Sequence, residues 1–182
     1  MRVAGFEVQS FSSANEFLTA HAAAQFESGC VVLDVRMPGM GGPELQRAML
    51  ERNITLPVVF LTGYGDVATS VDAMKLGAVD FLEKPVRGEA LLATVRSALA
   101  RDAAGRTHAR EVREIASRMA RLTPREREVM EHVVRGRLNK QIAFDLGISL
   151  KTVKVHRAKV MEKMQARSVA ALVDLCHEAR AG

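Results

Sequence analysis

The chain reads as a doubly wound α/β domain followed by an all-α domain built on a helix-turn-helix, and three observations carry that reading. Apolar runs at residues 30–33 and 57–61 alternate with stretches of helical period, the order expected of a parallel sheet with crossover helices. Residues 139–164 contain two helical stretches broken by Gly147, with a new start at Ser149. Charge divides along the chain. Residues 1–100 carry 8 basic and 11 acidic side chains, net −3, whereas residues 101–182 carry 18 and 10, net +8, so the second half seeks a polyanion.

Composition narrows the classes further. With 182 residues, 48% of them apolar, the chain can fill the cores of two small domains. No apolar run approaches the ~18 residues needed to span a bilayer, and residues 1–5 lack a secretory signal pattern, so a cytoplasmic protein with no membrane partner is expected. Cys30 and Cys176 are too few for a disulfide framework. The five histidines show no metal-ligand spacing, and there is no glycine-rich phosphate loop.

In chain order, residues 6–11 alternate apolar and polar side chains and predict a strand. A helix follows, capped by Ser13, with Phe17, Leu18 and Ala22 inward. Residues 30–33 predict a strand buried on both faces and ending at Asp34; Pro38, Gly39, Gly41 and Gly42 form a loop, and a helix carries Leu45, Met49 and Leu50. A second buried strand, 57–61, ends at Thr62. The next helix runs through Val71 and Met74 to Gly77, a short strand covers 79–82, and a helix holds Leu91, Leu92, Val95 and Leu99.

In such sheets reactive groups gather beyond the carboxyl ends of the strands, where Asp34, Thr62 and Lys84 all fall. A carboxylate, a hydroxyl and an ammonium suit phosphoryl acceptance: Asp34 as nucleophile, Thr62 donating to a phosphate oxygen, Lys84 pairing with its charge. Residues 32–42 (VLDVRMPGMGG), 60–63 (FLTG) and 77–85 (GAVDFLEKP) resemble the receiver domain of bacterial response regulators, which has a flavodoxin-like fold. The resemblance implies phosphorylation at Asp34, a switch hydroxyl at Thr62, an aromatic reporter at Phe81, and an ammonium at Lys84 joined to Pro85 by a cis bond. It also implies Mg²⁺ held partly by Asp34 and the Arg36 carbonyl. One departure is plain. Residues 1–5 resemble the end of the receiver's first helix, so the first strand and its metal-binding acidic pair are absent. A fragment or mis-assigned start of a normal receiver is the expectation, with Mg²⁺ poorly held in this chain.

In the second half, Val153, Val160 and Met164 form the inward stripe of a helix whose outward face carries Lys151, Lys154, Val155, Ala158 and Lys159. Lysines meet phosphates or guanine edges, and short apolar side chains admit thymine methyls, so this face suits a major groove. Arg157 lies nearer the buried stripe, and its head is expected on a phosphate. Residues 122–129 (LTPREREV), Gly136, 139–143 (NKQIA), 146–149 (LGIS) and 152–156 (TVKVH) resemble the LuxR-type DNA-binding domain. On that resemblance Asn139, Lys140 and Thr152 join the DNA-binding set.

The organisation expected is a receiver over 1–100, a helical linker over 101–121 with Ala109, Val112, Ala116 and Met119 at helical spacing, and a four-helix helix-turn-helix domain over 122–182. Thr123 and Glu126 predict a capping box with Pro124 at the first helical position. The last helix turns Val169, Leu172, Val173 and Cys176 to one side, for its own core or for a dimer. Function follows as a DNA-binding transcriptional regulator of the FixJ/NarL-like class, not an enzyme. Its implied partners are double-stranded DNA, a sensor histidine kinase and a second copy on DNA, and the class also admits RNA polymerase. The alternatives are a constitutive DNA-binding dimer with a vestigial receiver, and an aspartyl-phosphate phosphatase. The phosphatase would want an acid two residues after its nucleophile, where Arg36 stands.

Overall fold

Among the described residues three parallel strands, β1 (Val31–Asp34), β2 (Val58–Thr62) and β3 (Asp80–Glu83), lie side by side in the order β1-β2-β3. Their register sets Leu33 beside Phe60 and Phe60 beside Phe81, so one apolar row crosses the sheet, and the two phenyl rings stack at 4.9 Å. The computed structural model describes residues 5–63 and 73–181. Contacts divide the chain into two units, Met1–Gly105 and Arg106–Gly182.

In the first unit, α1 (Ala14–Ala24) starts where the Ser13 hydroxyl accepts the Glu16 amide, and it turns Ala14, Phe17 and Leu18 into the core. Ala22 is exposed, contrary to the sequence expectation. His21 takes the inward position, its ring against Phe17 and Phe26. Helix α2 (Gly42–Glu51) begins with Gly42 and Pro43 and buries Leu45 and Met49 almost completely, each worth about 2 kcal/mol on removal from water. The helix containing Val71 lies outside the described residues apart from its end, where Gly77 adopts φ +90° after Met74.

Two strand expectations are corrected. Residues 6–11 form no strand: they have no ladder partner among the described residues, and Glu7 to Ser10 all face solvent. Alternation alone does not make a strand when the backbone has nothing to pair with. β1 is not buried on both faces either; Leu33 is 6% exposed but Val32 39%, because β1 is an edge of the described sheet. β2, the central strand, does bury Val58, Val59 and Phe60.

Helix α3 (Gly88–Ala120) contributes to both units. In the first, its buried residues are Thr94, Ala98 and Asp102, spaced four apart, while Leu91, Leu92, Val95 and Leu99 are only half-buried. Polar neighbours explain the choice. Thr94 Oγ1 donates to Asp80 at 3.3 Å, and Asp102 accepts the Gly29 amide at 3.2 Å, so both buried polar groups are satisfied. In the second unit, Ile115 and Met119 of α3 turn into the core and Val112 is half-buried, whereas Ala109 and Ala116 are exposed.

The second unit adds α4 (Pro124–Val134), α5 (Asn139–Leu146), α6 (Leu150–Met164) and α7 (Val169–Ala181). Val129, Ile142, Val153, Val160, Met164 and Leu172 are fully buried where these helices meet. Of the α7 stripe, Leu172 and Cys176 are spent on this core, the thiol lying 4.0 Å from the Met130 sulfur. Thr123 and Glu126 close the capping box that begins α4, and Pro124 stands in its first turn.

Glu126 is itself buried and receives the Lys163 ammonium at 2.5 Å, which ties the start of α4 to the end of α6. That hydrogen bond, with the Thr123 amide, lowers the Glu126 carboxyl from 4.5 to about 2. A depressed folded-state value stabilises above the unfolded value and loses that effect as pH falls through the folded one. The second unit is therefore expected to lose stability between about pH 4.5 and pH 2, and Glu126→Gln to flatten that part of the profile at a cost of about 2 kcal/mol at neutral pH. Denaturant titrations at both ends of the window measure it; parallel profiles for the two proteins would show that Lys163 matters little.

Candidate functional site

The carboxyl ends of the strands bring the first cluster together. Asp34 is the last residue of β1, Thr62 the last of β2, and Lys84 follows β3. Asp34 lies level with Leu61 and Leu82 in the register, so Lys84 is two residues farther along and two strands away, about 7 Å on and 10 Å across. Its long side chain spans that distance. The Lys84 ammonium pairs directly with Asp34 Oδ2, while Oδ1 accepts the Arg36 amide at 3.1 Å. The Lys84 hydrogen bond is the main reason the Asp34 carboxyl sits below its ordinary value, against a partial burial that pushes the other way. Asp34 is thus an ionised, part-exposed carboxylate with a cation beside it, the state a phosphoryl acceptor needs.

Supporting geometry is tight. The Gly42 amide donates to the Val35 carbonyl at 3.1 Å, and a Cβ on Gly42 would fall 2.8 Å from the Phe60 ring and closer still to the Asp34 carbonyl. Glycine is required there to bring α2 against the strand that ends in Asp34. Thr62 Oγ1 donates to the Gly63 carbonyl, its backbone carbonyl accepts the Lys84 amide at 2.8 Å, and the Lys84–Pro85 bond is cis. Phe81 is partly buried on Phe60.

A divalent cation fits this cluster poorly. Among the described residues no group of three potential ligand side chains includes Asp34. One carboxylate and the Arg36 carbonyl are a thin oxygen set for Mg²⁺, which prefers six. The one such group among the described residues is His108, Glu111 and Glu178 in the second unit. His108 and Glu111 are exposed, and nothing else marks the group as a metal site. Local spacing could not reveal it, because Glu178 is 67 residues after Glu111.

The second cluster lies on α6. Ser149 caps the helix, accepting the Thr152 amide at 3.0 Å, and Val153, Val160 and Met164 anchor its inner side. Lys151, Lys154, Val155, Ala158 and Lys159 are all exposed, with Thr152 half-buried beside them. Lys140 is exposed in the first turn of α5. Arg157 is not free to reach outward: its Nη1 donates to Asn139 Oδ1 at 2.7 Å. The sequence marked Asn139 and Arg157 separately and gave no sign that 18 residues apart they form one pair.

Comparison with known proteins covers both units. Residues 1–96 match the family model for the response regulator receiver domain, and residues 120–176 that for bacterial regulatory proteins of the luxR family. The chain belongs to the response regulators. It is 47% identical to the transcriptional regulatory protein FixJ of Bradyrhizobium diazoefficiens over 97% of this chain and 85% of that protein. It is 43% identical to the response regulator protein TodT of Pseudomonas putida over 95% and 75%. Among solved structures, the response regulator StyR superposes with a TM-score of 0.82 at 43% identity, covering 96% of this chain and 87% of that one. Full-length FixJ from B. japonicum gives 0.56 at 45%, covering 98% and 87%. The chain is a DNA-binding transcriptional regulator of the two-component type, and its relatives are transcriptional regulators rather than enzymes. No helix among the described residues is long and apolar enough to cross a membrane.

Proposed function

We propose that this response regulator takes a phosphoryl group on Asp34 from a sensor histidine kinase and, as a homodimer in the cytoplasm, binds duplex DNA through α6. The observation that carries the reading is the Asp34–Lys84 pair at the strand ends, an ionised nucleophile with its counter-ion in place. In the transfer, the bond from phosphorus to the donor nitrogen breaks and a bond to an Asp34 oxygen forms, leaving an acyl phosphate. Thr62 and Lys84 receive the new charge, and Phe81 follows the movement of Thr62. Lys151, Lys154 and Lys159 then meet the duplex, with Val155 and Ala158 against base edges; RNA polymerase is the natural recipient of the bound dimer. The functional limits run over 1–100 and 122–182, with 101–121 between. Mg²⁺ would neutralise the incoming phosphate, but the described residues hold it poorly, and that favours a second reading: a constitutive DNA-binding dimer whose receiver is vestigial. The full chain, tested for duplex affinity with and without a phosphoramidate donor, separates the two. Tighter binding after treatment is expected. Identical affinities would favour the vestigial receiver.

A further inference from the structure

The Arg157–Asn139 pair sits in a cleft between the start of α5 and the outer side of α6. Its rim carries Arg137, Lys140, Lys154 and Arg157, and Leu138 and Leu150 supply apolar surface. None of the lining residues is acidic. Asn139 therefore offers the one side-chain acceptor in a depression that holds four cations, and it is the Arg157 guanidinium that takes it, at 2.7 Å. Arg157 is half-buried as a result, while Lys154 and Val155, one turn or less away on the same helix, are exposed.

Arginine is the side chain that most often reads guanine, through a fork of donors to O6 and N7. Remove the acceptor, and Lys140 and Lys154 repel a guanidinium with no partner inside the cleft, Arg137 being held by Asp145 at 3.0 Å, so it turns out toward the row that faces a groove. Resting on the DNA-binding reading above, we infer that Asn139 is a positioning residue that sets the base preference of α6 by withholding Arg157 from the duplex. Asn139 acts through Arg157, not on a base.

The test is a panel of base-substituted duplexes bound by the full chain, starting from a site selected from random sequence. Asn139→Ala is expected to gain a preference for guanine at one added position, by about fivefold or more, the discrimination a bidentate arginine supplies. Arg157→Ala keeps the wild-type preference and changes affinity evenly across the panel. The double variant returns to the wild-type preference, because the released side chain is gone. Asn139→Asp, which keeps an acceptor for the guanidinium, retains the wild-type preference, whereas Asn139→Leu, which removes the acceptor but keeps the bulk, gains the same guanine preference and serves if the alanine variant melts too low to assay. A wild-type preference left unaltered in Asn139→Ala, or one altered in Arg157→Ala alone, overturns the inference. A wild-type chain with no preference at any base removes the DNA-reading role itself, and the inference with it.

Discussion

Raising monovalent salt from about 50 to about 200 mM is expected to weaken duplex binding roughly a hundredfold per protomer engaged, for about four phosphates neutralised by each α6 face and its surroundings. The cations expected to do this are Lys140, Lys151, Lys154 and Lys159, all exposed and on or beside α6. Each one replaced by alanine lowers the slope of log affinity against log salt by about 0.9. Lys151→Ala and Lys159→Ala lie far enough along the helix to add independently. Val155→Ala, in contrast, leaves the slope alone and changes discrimination at a thymine, since a methyl contact releases no counterion. Affinity that stays level across the salt range would mean that these lysines do not face phosphate, and would return α6 to an ordinary solvated helix.

That α6 could be placed from sequence at all follows from its local rules. Ser149 as cap, Gly147 as terminator and the stripe of Val153, Val160 and Met164 are each set within one or two turns of chain, and all stand where expected. The capping box of Thr123 and Glu126 belongs to the same class. What failed depended on neighbours. Residues 6–11 alternate as a strand does, yet pairing is a property of two segments, and the second is not beside them among the described residues. Leu91, Leu92, Val95 and Leu99 outrank Thr94, Ala98 and Asp102 in hydropathy, but the inner face of α3 went to the residues whose hydroxyl and carboxylate meet Asp80 and Gly29. Apolar period finds a helix; the polar groups waiting on the sheet decide which side of it turns in.

The same contrast separates the two candidate sites. Asp34, Thr62 and Lys84 were visible together because strand ends converge in any parallel sheet, whatever the side chains between them. The Arg157–Asn139 and Lys163–Glu126 pairs were not, since each joins two helices whose relative rotation no spacing rule supplies. Both pairs bear on how α6 is held: one at the end of the helix, one in its middle.

Asp34→Asn is expected to abolish phosphoryl uptake altogether. The substitution keeps the shape of the side chain and an oxygen for Lys84, but an amide is not a nucleophile, so no acyl phosphate forms. Mass measurement after exposure to a phosphoramidate gives an all-or-none readout. Lys84→Ala should slow uptake without ending it, because the carboxylate remains while the cation that meets the incoming charge is lost. It also frees Asp34 from the hydrogen bond that most lowers its carboxyl. With Lys84 present, the carboxyl stays ionised throughout the range from about pH 5 to pH 8. Any pH dependence of uptake there belongs to the donor, and it should be the same for the wild type and for Thr62→Ala. The thin set of ligands around Asp34 further predicts that added Mg²⁺ raises the wild-type rate only modestly. Uptake that persists in Asp34→Asn would place the acceptor elsewhere. A wild type that takes up nothing, while its DNA binding stays intact, would identify a regulator whose receiver no longer carries the signal.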